Sequence, residues 1–190
     1  MNRSNKNHRN QFGQALVEFT FVGIPLIFIL ISVFEVSRGM WIYHTLAYSV
    51  KNGVRFASVH GINCAKTTDN PNDCLVNMGP ANTQGTIAWV ILQNAPGLDP
   101  KKTTLTFTSG ITSGTTTTTT CTLDAGSCPA TTWPPYDSTG ATNLDYVGQA
   151  IRIDIRTPFT NAISMLWPGS SPVSFANGTL GASSQDYVQF

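Results

Sequence analysis

The residues able to do chemistry are few, and they are scattered along the chain. The three histidines lie far apart, and the sequence has no motif of a serine hydrolase, a zinc peptidase or a phosphate-binding loop. The acidic residues show no spacing typical of an acid–base pair. The spacings between the four cysteines are wider than those of zinc knuckles. We therefore predict no catalytic residue, no cofactor and no metal site.

The cysteines indicate disulfides instead of metal ligands. All four follow the most apolar part of the chain, and an even number suits an oxidising compartment outside the cytoplasm. Three connectivities are possible, of which the local pairs Cys64–Cys74 and Cys121–Cys128 close the shortest loops. We expect two disulfides and leave their pairing open.

Glu18 is the one charged side chain between Gly13 and Phe34. A charged group inside a membrane segment costs roughly 2.5 to 3.5 kcal/mol, so this carboxylate requires a compensating partner. If the chain is cut after Gly13, Gln14 becomes the new N-terminus and Glu18 lies in the first helical turn. Its charge then meets the positive end of the helix dipole and a nearby ammonium group.

The elements around Glu18 predict a membrane anchor. Arg3, Lys6 and Arg9 precede an apolar run from Ala15 to Phe34, which reaches the roughly 20 residues that span a bilayer. Basic residues before the run place the N-terminus in the cytoplasm. A secretory signal would end in small residues, unlike this run, whereas an uncleaved single-pass anchor stays an open alternative. We expect a cytoplasmic leader at 1–13, a transmembrane helix at 14–36, a helix extension at 37–60 and an extracytoplasmic domain at 61–190.

The segment from Gly13 to Phe19 resembles a type IV prepilin cleavage site, with glycine before the cut and glutamate fifth after it. About the first third of the chain is similar to the TadE-like family of the tight-adherence (Flp, type IVb) pilus system. The motifs in the expected order are Val17-Glu18-Phe19, Pro25-Leu26, Glu35, Arg38 and Gly53-Val54-Arg55. The resemblance implies a prepilin peptidase that recognises Gly13 and Gln14, and a contact at Glu18 and Phe19 that compensates the ammonium of a neighbouring subunit.

The resemblance further implies a minor pilin or pseudopilin in the bacterial inner membrane. Its expected partners are other pilin-like subunits, the prepilin peptidase, the inner-membrane assembly machinery and membrane lipid. A net charge of +1 with 11% charged residues gives no broad basic surface for nucleic acid. The alternative is an unprocessed, membrane-anchored adhesin or binding module that uses its threonine-rich and disulfide loops.

The helix is predicted to continue beyond the membrane. Pro25 is expected to bend it and not to end it, and Gly61 is expected to stop it after His60. Apolar residues recur at steps of three and four, and we expect the chain's own distal domain to cover this stripe, with neighbouring subunits as the alternative. Its members are Val36, Met40, Tyr43, Ala47, Val50, Val54 and Ala57. Glu35 and Arg38 are spaced to pair at the membrane exit, and Trp41 is expected to lie at the bilayer interface.

The distal domain is predicted to be a small antiparallel sheet, which makes the fold α+β and pilin-like. Thr86–Asn94 indicates a short helix with Ile87 and Ile91 toward the core. Alternating apolar residues predict strands at 103–108 and 151–155, and a last strand is expected at 186–190. Asn177-Gly178 fits a hairpin turn between 174–175 and 179–180. The threonine-rich stretch 112–120 is expected to form a surface loop, because it has little apolar material to bury.

Overall fold

A computed structural model of the chain describes residues 8–60, 76–111, 114, 116–135, 147–159 and 178–189. Within these ranges the elements follow in the order α1 (His8–Ser58), α2 (Ile87–Gln93), β1 (Thr104–Ser109), β2 (Thr117–Thr122), β3 (Ala150–Phe159) and β4 (Gly178–Tyr187). The strands form one sheet in the order β2-β1-β3-β4, and every neighbouring pair is antiparallel. The predicted architecture, a long apolar helix on a small antiparallel sheet, is confirmed.

Helix α1 is the longest element, with 51 residues and a length of about 75 Å. It continues through Pro25 and ends at Ser58, two residues before His60, while Gly61 lies outside the described residues. The backbone N–H of Gln189 donates to the Ser58 carbonyl at 2.8 Å. This bond joins the end of α1 to the last described residues of the chain.

The core lies between one face of the sheet and the C-terminal half of α1. Strands β1 and β3 alternate as predicted, and their inward side chains are buried because period two places every second residue on the same face. The sheet contributes Leu105, Phe107, Ile151, Ile153 and Ile155, and α1 contributes Leu46, Val50 and Val54. Phe107 meets the buried ring of Trp133 edge-on, with ring centroids 5.2 Å apart.

Helix α2 closes one side of this core, in agreement with the prediction. Thr86 is its N-cap, and the threonine side chain accepts a hydrogen bond from the Trp89 N–H at 3.2 Å. Ile87 and Ile91 are fully buried, as expected. A Cβ at Gly53 would lie 2.5 Å from Ile91 Cγ1, so the two helices meet at a point where only glycine fits.

The loop prediction for the threonine-rich stretch is wrong over its second half. Thr117–Thr122 forms the edge strand β2, which pairs with β1 from Thr104↔Thr122 to Ser109↔Thr117. Three of the six β2 side chains are exposed and one is buried, so the strand buries little apolar surface. β-Branched threonine suits extended backbone, and the hydrogen bonds to β1 stabilise it without an apolar face of its own.

The C-terminal strand differs in extent from the prediction. Thr179–Leu180 and Asp186–Tyr187, expected in two separate strands, belong to the single strand β4, which pairs with β3 over ten residue pairs from Ala150↔Tyr187 to Phe159↔Gly178. Asn177 and the proposed hairpin partner at 174–175 lie outside the described residues. Sequence patterning missed the continuity because Gly181, Ser183 and Ser184 interrupt the apolar alternation.

One predicted disulfide is present. Cys121, on β2, is bonded to Cys128 with a Cα–Cα distance of 5.0 Å. The pairing across a short loop is the one expected to be easiest to close. Cys64 and Cys74 lie outside the described residues.

Candidate assembly site

The N-terminal half of α1 is an apolar surface that no described residue covers. From Gly13 onward α1 is the one helix of the described residues that is long and apolar enough to cross a membrane. Phe19, Phe21 and Phe34 are each more than 70% exposed. Exposed apolar surface of this extent requires a lipid or protein environment in place of water.

The hydroxyl groups within this surface are satisfied by the helix itself. Thr20 Oγ1 lies 2.7 Å from the Leu16 carbonyl oxygen, and Ser32 Oγ donates to the Phe28 carbonyl at 2.8 Å. Such bonds to the preceding turn remove the cost of a hydroxyl group in hydrocarbon. These hydroxyl groups are therefore suited to a bilayer, which leaves the one acid of the apolar segment to explain.

That acid is Glu18, which lies on an exposed face of α1 one turn after Gln14. The Gln14 side-chain amide donates to Glu18 Oε1 at 3.2 Å. The contact places residue 14 and the carboxylate side by side on the same face of the helix. Phe19 is exposed beside Glu18, so an adjacent chain has access to both residues predicted to act in assembly.

Gly13, predicted to precede a cleavage point, lies in the helix and on its surface. A Cβ placed there would meet no atom within 4 Å. The glycine is thus not required by packing within the described structure.

The apolar stripe beyond Phe34 is covered over only part of its length, which corrects the expectation that the distal domain covers all of it. Val50, Val54 and Ala57 are fully buried, whereas Val36 and Met40 are 62% and 58% exposed. Leu46 belongs to this buried face in place of the predicted Ala47, which is only partly buried. Periodicity found the helix but not the length of helix that the small domain covers.

Val36, Met40 and Tyr43 form what we call the exposed band, an apolar strip that continues from the uncovered half of α1. All three belong to the predicted stripe, and about half or more of each side chain is exposed. Their spacing of four and three residues puts them on one face of the helix. The uncovered apolar surface therefore extends beyond the roughly 20 residues that a bilayer would enclose.

The domain meets α1 at the end of the apolar run. The Arg38 guanidinium lies over the Phe159 ring, 5.4 Å from its centroid, and a Cβ at Gly39 would be 3.7 Å from the same ring. Trp41 is half exposed and packs against Gly97. These contacts join residues that are distant in sequence, and they were not predicted. The one signal in the sequence was Trp41, whose position beyond the apolar run indicated a bilayer interface here.

Comparison with known families identifies the same part of the chain. Residues 13–55 match the model of TadE-like proteins. No curated protein and no solved structure matches the chain. The match begins at Gly13 and ends within the last turn of α1. It therefore includes the exposed apolar half of α1 with Glu18, and most of the part of α1 that packs on the sheet. The chain therefore carries a TadE-like domain at residues 13–55.

Proposed function

We propose that the protein is a minor pilin or pseudopilin of a tight-adherence pilus, held in the inner membrane by α1 and processed after Gly13. The observation that carries the proposal is the uncovered apolar helix surface that contains one exposed carboxylate. A helix that served only as an anchor would have no use for Glu18, because the charge raises the cost of membrane insertion. A helix that joins other pilin-like helices can use it.

The role of Glu18 in this proposal is electrostatic compensation. After a cut at Gly13, the ammonium group of Gln14 in a neighbouring subunit would provide the charge that the carboxylate requires in a low-dielectric environment. The exposed band would continue the contact between helices outside the bilayer. Prepilin peptidase and the inner-membrane assembly machinery are the expected partners, and the sheet domain would lie outside the cytoplasm.

The experiment is an intact-mass measurement on protein extracted from membranes, produced with and without the cognate prepilin peptidase. The proposal expects residues 1–13 to be lost only when the peptidase is present. A Gly13→Leu variant, which places a bulky side chain before the cut, is expected to keep the full-length mass. Full-length wild-type protein in the presence of an active peptidase would favour an unprocessed, membrane-anchored binding module instead.

A further inference from the structure

A group of cations surrounds the end of the domain that faces the apolar run. Arg38 and Lys102 line one cavity of about 190 Å³ together with Thr157 and Pro158. Lys102, Thr157 and Pro158 also line a second cavity of about 450 Å³, to which Arg156 contributes. Because the two cavities share three lining residues, the cations lie around a single feature, the end of strand β3. We call Arg38, Lys102 and Arg156 the basic collar.

The acids near the collar leave it with a positive charge. Asp99 lies 3.6 Å from Lys102, and Glu35 lies on α1 three residues before Arg38, so two acids offset part of the charge of the three cations. Asp154 lines the larger cavity but is already paired with Arg152, whose Nη2 donates to Asp154 Oδ1 at 2.6 Å. That hydrogen bond, with the attraction between the two charges, raises the pKa of Arg152. Arg156 forms no ion pair with any described residue.

The helix determines how far the collar lies from the bilayer. Arg38 follows Phe34, the end of the apolar run, by four residues, a rise of about 6 Å along the axis. Each headgroup layer is about 5 to 7 Å thick outside the hydrocarbon core. Strand β3 runs antiparallel to α1 and ends at Phe159 beside Arg38, so Pro158 lies near this depth, whereas the backbone of Arg156 lies about 10 Å farther along the strand.

The geometry points to the basic collar as a binding site for the headgroups of anionic phospholipids in the leaflet from which α1 emerges. Arg38 and Lys102 near headgroup depth, with Arg156 farther along β3, provide the complementary charge. The aromatic rings of Phe159 and Trp41 lie where interfacial aromatic residues are favoured. The site would hold the sheet domain against the membrane surface. This inference rests on α1 crossing the membrane, and not on processing or on pilus assembly.

The test uses the full chain in neutral detergent, titrated with phosphatidylglycerol or with phosphatidylcholine, and counts the bound lipids by native mass spectrometry. Wild type is expected to bind phosphatidylglycerol more tightly. The double variant Lys102→Gln/Arg156→Gln is expected to lose about tenfold or more of the affinity for phosphatidylglycerol, since each interfacial cation contributes on the order of fivefold. Binding of phosphatidylcholine should not change.

The matched control is Lys51→Gln/Arg55→Gln, which removes the same charge from exposed positions on α1 that lie about 25 Å or more beyond Phe34. It should bind phosphatidylglycerol as wild type does. Equal losses in both double variants, or no loss in the collar variant, would overturn the inference. So would full displacement of phosphatidylglycerol by an equal concentration of glycerol phosphate, because the site would then belong to a soluble phosphate ligand. The peptidase cut is scored separately by mass, so the two proposals can fail independently.

Discussion

At the scale of single residues, the same amino-acid type has different roles along α1. Gly13 is open on all sides, whereas Gly53 faces Ile91 at a distance that excludes any larger side chain. The resemblance of Gly53-Val54-Arg55 to a family motif thus has a physical basis in helix packing. Glu18 differs from both, because under the proposed function its counter-charge comes from a neighbouring subunit.

For Gly53, the Gly53→Ala variant is expected to lose about 1 to 3 kcal/mol of unfolding free energy, because the new Cβ would overlap the Ile91 side chain. Gly39→Ala is the matched control: its nearest neighbour is the Phe159 ring at 3.7 Å, an ordinary contact. Replacing a glycine inside a helix should there be neutral or stabilising by up to about 1 kcal/mol. Thermal unfolding in detergent, followed by circular dichroism, distinguishes the two. Equal stabilities would contradict the close packing of α1 and α2.

For Glu18, the Glu18→Gln variant retains the size of the side chain and removes the charge. It should remain in the membrane fraction, since the change lowers the cost of insertion. It should lose co-purification with other pilin-like subunits by tenfold or more, because the neighbouring ammonium then has no counter-charge. Quantitative co-purification from membranes measures this. Recovery of partners at the wild-type level would show that the carboxylate does not act in assembly.

At the scale of elements, α1 is one helix with two surroundings. Its last part is a core helix of a small domain, and its first part has no cover among the described residues. The boundary lies between Tyr43, which is half exposed, and Leu46, which is fully buried. Because no described loop separates the two parts, the helix holds the sheet domain at a fixed distance from the apolar half of α1.

This division predicts different losses of stability when the side chain is truncated at two positions of α1 that lie six residues apart. Leu46→Ala should cost about 2 to 5 kcal/mol, because it leaves a cavity between α1 and the sheet. Met40→Ala should change the stability of the isolated chain by no more than about 0.5 kcal/mol, because the side chain is exposed. Unfolding of the purified, detergent-solubilised chain gives both values. A large loss for Met40→Ala would mean that the distal domain covers the exposed band.

The disulfide offers a second test of an element. It joins β2 to the segment that carries Cys128, across a sequence separation of 7 residues. Loop-closure entropy for so short a loop amounts to about 2.5 kcal/mol. The Cys121→Ala/Cys128→Ala variant should therefore lose about that much unfolding free energy, as measured by a denaturant titration. The amide hydrogens of the edge strand β2 should also exchange faster. Unchanged exchange in β2 would show that the pairing with β1 suffices to hold the strand.

At the scale of the whole molecule, periodicity and charge in the sequence predict single elements and the candidate site. They do not predict features that form only when distant segments come together. The isoleucines of 151–155 alternate clearly, and Gly13 with Glu18 marks the candidate site within six residues. Strand β2 was missed because a run of threonines has no apolar alternation and becomes a strand only beside β1. The basic collar was missed because its cations come from α1, from the turn before β1 and from β3, and only the fold brings them together.

Under the proposed function, the uncovered half of α1 packs against the helices of other pilin-like subunits. Photo-crosslinking in cells tests it most directly, with a photoreactive residue at Phe21 or at Met40 and the natural partners present. We expect protein adducts with pilin-like subunits from both positions, and their loss when Glu18→Gln is added to the same chain. Adducts with lipid alone at Phe21 and none with protein at Met40, in protein that has reached the membrane, would contradict it.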